Sequence, residues 1–479
     1  MIQAASPQPS TTTRRKTLWP DPSTITNISE HQRAALTLAL STRFGILGGT
    51  PGTGKTHTTI ALIKALSRLH GSHTIAFVAP TGKAANRGAE LLSSHSLTIP
   101  ATTIHRILEV DRNGRDGEGW SFKRNKFNRL QQMFFFVDEM SMTDVDTFAS
   151  FCEALPDEAH VLLVGDIYQL PPVGHGAPLR DLINSNQVGY GELTEIRRNS
   201  GDIVKGCQKL KNGEYFTPNT IGLNLDPEVG MNWIHRPCSR PEQQIQTMLK
   251  LLATVPKSFN PIFDIQVICT TNGKLDQSSD KDEANPISRN ALNKILQPAL
   301  NPSNPITGKN RFAVRDKVIC TKNAIFELVD IIKTAGGVEI DETGTNDIVA
   351  NGEIGQVCAI QEKRAIIKLM FPQRYISCPL SAGGGGGNGT AGNSGCFDLG
   401  YAITCHKSQG SQMPIVMVML DDSNGANWVT SREWHYTAIS RAEKICMTIG
   451  KWETLMRQSK RVSLSGRKTF LSEKLQGVM

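Results

Sequence analysis

Between an apolar run, Phe44 to Leu47, and a helical pattern, Thr56 to Leu69, the chain reads Gly49-Thr50-Pro51-Gly52-Thr53-Gly54-Lys55-Thr56. A strand that breaks into a glycine-rich turn and at once opens a helix leaves few folds available. The glycines let successive backbone N–H groups curl inward, and the helix start adds the positive end of its dipole. Such a loop cradles phosphates. Lys55 is placed to neutralise the outer phosphates of a nucleoside triphosphate, and the Thr56 hydroxyl to ligate Mg²⁺. The rival reading, a chance glycine loop, is disfavoured by the flanking elements.

The surrounding pattern is α/β. Apolar strands are predicted at Thr74 to Ala79, Met133 to Val137 and His160 to Val164, with helical patterns between them. Strands that are nearly all apolar and alternate with helices imply a parallel sheet covered on both faces. The strand ending Phe136-Val137 delivers Asp138 and Glu139 to the mouth of that sheet. Asp138 is expected to hold the Mg²⁺ shell and Glu139 to orient and deprotonate an attacking water. A third strand ends at Gly165-Asp166, and Gln169 just beyond offers an uncharged amide to sense a terminal phosphate; a capped turn is the competing reading. Upstream, Gln32 is a candidate for the adenine edge, although Ser29-x-x-Gln32 also spells a capping box. The site is that of a Mg²⁺-dependent nucleotide hydrolase.

Length and charge bound the rest. The chain has 479 residues, enough for two to four domains. Its 52 Lys and Arg against 44 Asp and Glu permit a polyanionic partner without requiring one. No apolar run approaches the roughly 18 residues of a membrane helix. Ten scattered cysteines without a Cys-x-x-Cys pair, and no secretory signal, point to a reducing, cytoplasmic setting. Residues 1–27 are expected to be a disordered tail, and the basic stretch 456–479 a second tail, solvated or lying along phosphates.

A second α/β region begins near Leu193. From about Arg311 to Leu380 short β-rich runs, punctuated by Asn351-Gly352, suggest a small antiparallel barrel inserted into it. Ser381 to Gly395 holds eight glycines in fifteen residues, which reads as a loop or linker. α/β texture returns at Tyr401.

Several further strings, in order, resemble the RecD-like branch of superfamily 1 DNA helicases. Ala79-Pro80-Thr81-Gly82-Lys83-Ala84-Ala85 is similar to motif Ia, and Thr103-Ile104-His105-Arg106 to motif Ib. Val137-Asp138-Glu139-Met140 is similar to motif II, Gly165-Asp166-Ile167-Tyr168-Gln169 to motif III and Leu193-Thr194-Glu195-Ile196-Arg197-Arg198 to motif IV. Tyr401-Ala402-Ile403-Thr404-Cys405-His406-Lys407-Ser408-Gln409-Gly410 resembles motif V, and Tyr436-Thr437-Ala438-Ile439-Ser440-Arg441 motif VI.

The resemblance implies two RecA-like P-loop domains with ATP in the cleft between them. The expected division is residues 28–190 for the first domain, with a pin-like hairpin insertion at about 109–130. The second domain takes 191–310 and 398–455, with an SH3-like β-barrel insertion at 311–397 that includes the glycine-rich loop 381–395. ATP and Mg²⁺ are the implied cofactors. The nucleotide set is Gln32 with Gly49, Thr50, Pro51, Gly52, Thr53, Gly54, Lys55, Thr56 and His57, and the metal set Thr56 and Asp138. Lys55, Glu139, Gln169, Arg198 and Arg441 are the catalytic candidates, the two arginines reaching in from the second domain; Arg197, beside Arg198, competes for that role.

Thr81, Lys83, Thr103, His105, Thr404, His406 and Ser408 fall at positions that line a single-stranded DNA groove in this family. Trp120 and Phe122 fall in the hairpin region, where an aromatic can cap the first base pair of a fork; an exposed anchored loop is the alternative. The expected partners are single-stranded DNA and its junctions with duplex, with no membrane, and the expected state is a monomer. The function implied is 5′→3′ translocation and unwinding, its polarity resting on the resemblance alone. An RNA helicase of the same superfamily and a strand-remodelling ATPase are the alternatives.

Overall fold

Phe134, Phe135 and Phe136 are all buried, but not in one core. Phe134 and Phe136 pack with Leu36, Leu62 and Phe77, while Phe135 packs with Val78, Phe151 and Leu163. An all-apolar strand therefore means a sheet covered on both faces. The computed structural model describes residues 18–111, 121–195, 201–218, 232–273, 285–302, 311–334, 337–361, 364–370, 372–380, 395–467 and 469–477.

The first sheet has six strands, all pairing parallel. In spatial order they are Ala101–Thr103, Ile75–Ala79, Phe134–Val137, His160–Gly165, Phe44–Gly49 and Gly189–Leu193. The strand Phe44–Gly49 lies between two strands that come much later in the chain. The order in which strands are added reverses there, and the carboxyl ends of such strands form a crevice suited to ligands. A second parallel sheet runs Ala402–Thr404, Ile265–Cys269, Met413–Met419, Ala442–Ile449, Trp233–Arg236.

The region expected to be a barrel is antiparallel but open. Its order is Gly337–Val349, Ala324–Thr334, Arg374–Pro379, Arg364–Leu369, Ile354–Gln361, Lys317–Cys320, Phe397–Leu399, and among the described residues the two outer strands do not pair with each other. The expected closed barrel is thus corrected to an open sheet. It shares one core with the second parallel sheet: Val318, Val357 and Ile367 pack in the same cluster as Val267, Met417 and Ile449. The fully buried Lys317 joins them as well, its ammonium donating to the Ile265 carbonyl at 3.0 Å.

Both expected tails are corrected where they are described. Trp19 is buried, packs on Phe134 and Phe136, and donates its indole N–H to the Thr42 carbonyl at 3.0 Å. Residues 18–27 therefore belong to the first core. At the other end the chain leaves the second sheet after helix Trp452–Gln458 and returns to the first unit. Arg180 donates to the Leu464 and Arg467 carbonyls, Arg467 to those of Gly174 and Gly176, and Thr469 to Asp181. Backbone carbonyls and buried ion partners hold this strap, so its basic side chains are in part structural. The glycine-rich loop lies outside the described residues up to 394. Among the described residues no helix is long and apolar enough to cross a membrane.

Candidate nucleotide site and nucleic-acid track

Gly52 and Gly54 take positive φ angles of 83° and 88°, where a side chain would strain the backbone. At Gly54 a Cβ would also sit 2.7 Å from Nε2 of Gln32. The turn feeds helix Lys55–His70, whose first residue folds its ammonium back onto the Gly49 and Thr50 carbonyls. Thr53 braces the loop through a 2.7 Å bond to the Thr50 carbonyl. His57 is anchored to the Asn27 carbonyl at 2.7 Å.

A cavity of about 490 Å³ opens over this loop. Of the sequence candidates, Gln32, Thr50, Pro51, Gly52, Gly54, Lys55, Thr56, His57, Asp138, Glu139, Gln169 and Arg441 line it. Gly49 and Thr53 stand behind it. Arg441 enters from the second unit. It is buried and held by the Thr437 and Ser411 carbonyls and the Ser440 hydroxyl at 3.2 to 3.4 Å. Arg197, Arg198 and Trp120 lie outside the described residues.

The two readings of Gln32 are compatible. Its Oε1 accepts from the Ser29 N–H at 3.1 Å and its N–H donates to the Ser29 hydroxyl at 3.2 Å, completing the capping box. Its Nε2 is buried without a partner beside the cavity. Oε1 of Gln169 is likewise buried and unpartnered.

Burial first, and then the neighbouring Glu139, raise the Asp138 carboxyl above the usual carboxylate range, while Arg87 and Lys55 pull it down. A dication beside Asp138 reverses that balance. Among the described residues no three His, Cys, Asp or Glu side chains converge as a metal cluster. One hydroxyl and one carboxylate nevertheless suit Mg²⁺, which keeps waters and shares phosphate oxygens instead of taking an all-protein cage. Thr56 and Asp138 fit that role.

The nucleic-acid candidates divide. Thr81 and Thr103 cap helices, accepting from the Ala84 and Arg106 N–H groups at 3.3 and 3.1 Å. Thr404 and Ser408 are buried, and the Ser408 hydroxyl donates to the Cys405 carbonyl at 2.7 Å, so neither faces an open groove. His105 and His406 are lowered in pKa, chiefly by burial. The Lys83 ammonium is buried without a partner and pushed down to about 7 by burial, then by Arg441 and Arg87. Phe122 is half-buried, with its ring 5.9 Å from His105. Its neighbour in the turn Asn125–Asn128, Phe127, is 88% exposed, and sequence reasoning missed it.

Also missed were Arg87, Leu91 and His95, which line the nucleotide cavity, and Gln412, which closes it from the second unit. Arg87, Leu91 and His95 follow one another at four-residue steps along helix Gly82–Ser94 and its cap, so they share a face. That spacing was the available signal.

Residues 32–175 match an AAA domain model and 399–447 a UvrD-like helicase C-terminal domain model. The RecBCD enzyme subunit RecD of Mycolicibacterium smegmatis is 27% identical over 451 residues, covering 88% of this chain and 71% of that protein. The ATP-dependent RecD2 DNA helicase of Deinococcus radiodurans is also 27% identical, over 87% of this chain. Over most of its length this chain is thus similar to RecD and RecD2 proteins. It spans 48% of the length of the Deinococcus RecD2 protein. A solved structure of Bacteroides Pif1 bound to single-stranded DNA covers 90% of this chain and 94% of its own, at 16% identity and a TM-score of 0.46.

Proposed function

We propose that this chain is an ATP-dependent DNA helicase that moves 5′→3′ along single-stranded DNA and opens duplex ahead of it. The observation that carries the reading is the shared cavity: Lys55, Asp138 and Glu139 come from one parallel-sheet unit and Arg441 from the other. A site built from two bodies binds its ligand differently as they open and close, so hydrolysis can drive motion. Both halves come from one chain, which supports a monomer as the working form.

ATP is the substrate, and Mg²⁺, which Thr56 and Asp138 would hold, would supply charge neutralisation at its phosphates. Lys55 takes the β- and γ-phosphate oxygens. Glu139 orients and deprotonates the attacking water, and Gln169 senses the terminal phosphate. Arg441, together with Arg198, holds the charge that develops there. The nucleotide state passes to the other unit through the contacts between Gln169's segment and the second unit. The Leu170 N–H donates to the Thr437 hydroxyl at 2.8 Å, and Gln409 to the Leu170 carbonyl at 3.3 Å.

The two-domain division is kept with its first boundary moved from 190 to the end of strand Gly189–Leu193 and with residues 18–27 and the strap joined to the first domain, the antiparallel sheet being read as the counterpart of an SH3-like insertion that guides DNA. Thr81, Thr103, His105 and His406 are retained as contacts to the strand. The test is steady-state ATPase with and without single-stranded DNA, alongside Lys55→Ala and forks bearing only a 5′ or only a 3′ tail. Stimulation, its loss in the variant and unwinding from the 5′ tail alone are expected. Stimulation without unwinding would move the function to strand remodelling, and a requirement for 2′-hydroxyls would move it to RNA.

A further inference from the structure

Beyond the nucleotide cavity lies a second one, of about 310 Å³, and Arg87, Gly410 and Gln412 line both. Arg87 sits one helical turn after Lys83, on helix Gly82–Ser94 of the first unit. Its guanidinium donates to Oε1 of Gln412, on the second unit, at 2.6 Å. This charged bridge across the cleft is therefore part of the partition between the two cavities.

The other cations of the nucleotide cavity are differently engaged. Lys55 rests on its own loop, and Arg441 is fixed by three bonds within its own unit. A guanidinium has five donors in a rigid fork suited to phosphate oxygens, and a neutral amide is a weak partner for it by comparison. The field of Arg87 already reaches Asp138, whose carboxyl it helps to lower.

We propose that Arg87 is a further phosphate-contacting residue of the site, reading the terminal phosphate from the first unit. Gln412 is its positioning residue, holding the guanidinium at the cavity wall until the anion displaces the amide. Arrival of a terminal phosphate then breaks the Arg87–Gln412 bridge, so the same event that charges the site releases one contact between the units. The inference rests on the ATPase reading above.

The probe is ADP with aluminium fluoride in magnesium buffer, compared with ADP alone, by calorimetry on the full chain. Arg87→Ala is expected to weaken the aluminium fluoride complex by about tenfold to a hundredfold and to leave ADP within about twofold. Arg87→Lys, which keeps charge and bulk, is expected to restore only part of the loss and guards against a misfolded alanine variant. Gln412→Ala is expected to tighten the aluminium fluoride complex about twofold to fivefold, because the competing acceptor is gone. Equal weakening of both ligands by Arg87→Ala, or no weakening of either, overturns the phosphate contact. Weaker aluminium fluoride binding by Gln412→Ala overturns the displacement. Failure of the unaltered chain to bind either ligand overturns the ATPase reading itself, a result separable from the others.

Discussion

The Tyr436 hydroxyl, on the second unit, donates to Oδ2 of Asp166, on the first, at 2.8 Å, and both side chains are buried. Tyr436 shares helix Arg432–Ser440 with the residues leading to Arg441, and Asp166 ends the strand leading to Gln169. This buried bond, beside that from the Leu170 N–H to the Thr437 hydroxyl, ties the helix before Arg441 to the segment of Gln169. Tyr436→Phe is expected to cost about 1–3 kcal/mol in thermal unfolding, since it removes a donor from a buried carboxyl. A double-mutant cycle with Asp166→Asn should be non-additive by at least about 0.5 kcal/mol. Additivity would mean that the contact carries nothing between the units.

Among the described residues of the hairpin region the exposed aromatic is Phe127 and not Phe122, while Trp120 lies outside them. Asn125 and Asn128 exchange backbone bonds at 3.1 Å, and Oδ1 of Asn125 accepts from the Phe127 N–H at 2.9 Å, so the turn presents Phe127 from a fixed base. Phe127→Ala should change stability by no more than about 0.5 kcal/mol. On forked DNA it should lower unwinding severalfold while ATPase holds. Phe122→Ala, which strips a ring from His105, should destabilise by about 1–3 kcal/mol. Loss of ATPase in step with unwinding in both variants would remove the pin reading.

His435 gives the fold an acid limit. It is fully buried, bonded through Nε2 to Gln458 at 2.9 Å, and burial pushes its pKa down from 6.5 to about 4. The unfolded chain therefore takes up the proton first as pH falls. The stabilisation is complete above about pH 6.5 and is lost as pH drops towards 4. At about 1.4 kcal/mol per unit the loss reaches about 3 kcal/mol. Urea unfolding at pH 7.5, 6 and 5 should show this slope, and His435→Gln should flatten it.

Arg180 pins the returning strap by its two bonds to backbone carbonyls. Arg180→Ala should speed amide exchange across 464–476 by about tenfold or more and leave the two parallel sheets protected. Unchanged exchange there would show that Thr469, Arg467 and helix Leu471–Leu475 suffice without it.

What could be read in advance follows from how local each signal is. The phosphate loop lies in eight consecutive residues, and Phe134 to Val137 announce a two-sided sheet by being apolar throughout. Arg87 and Gln412 meet only because two distant segments are packed together. Trp19 was hidden in a proline- and threonine-rich stretch, and its burial depends on a carbonyl at Thr42. From Asp341 to Asp347 the strand Gly337–Val349 is polar or glycine throughout, with none of the alternation that marks a half-buried strand. Lys83 had the right residue type for a phosphate, but its amine is buried without a partner, and Gly352 packs near its stem.

The strap has a mechanical consequence. The chain crosses from the first unit to the second between Leu193 and Gly201, and crosses back between Ser459 and Leu464. A body joined to another at one point can swivel in any direction, whereas one joined at two points turns only about the line through them. Two crossings therefore leave the second unit fewer ways to move against the first than a single crossing would.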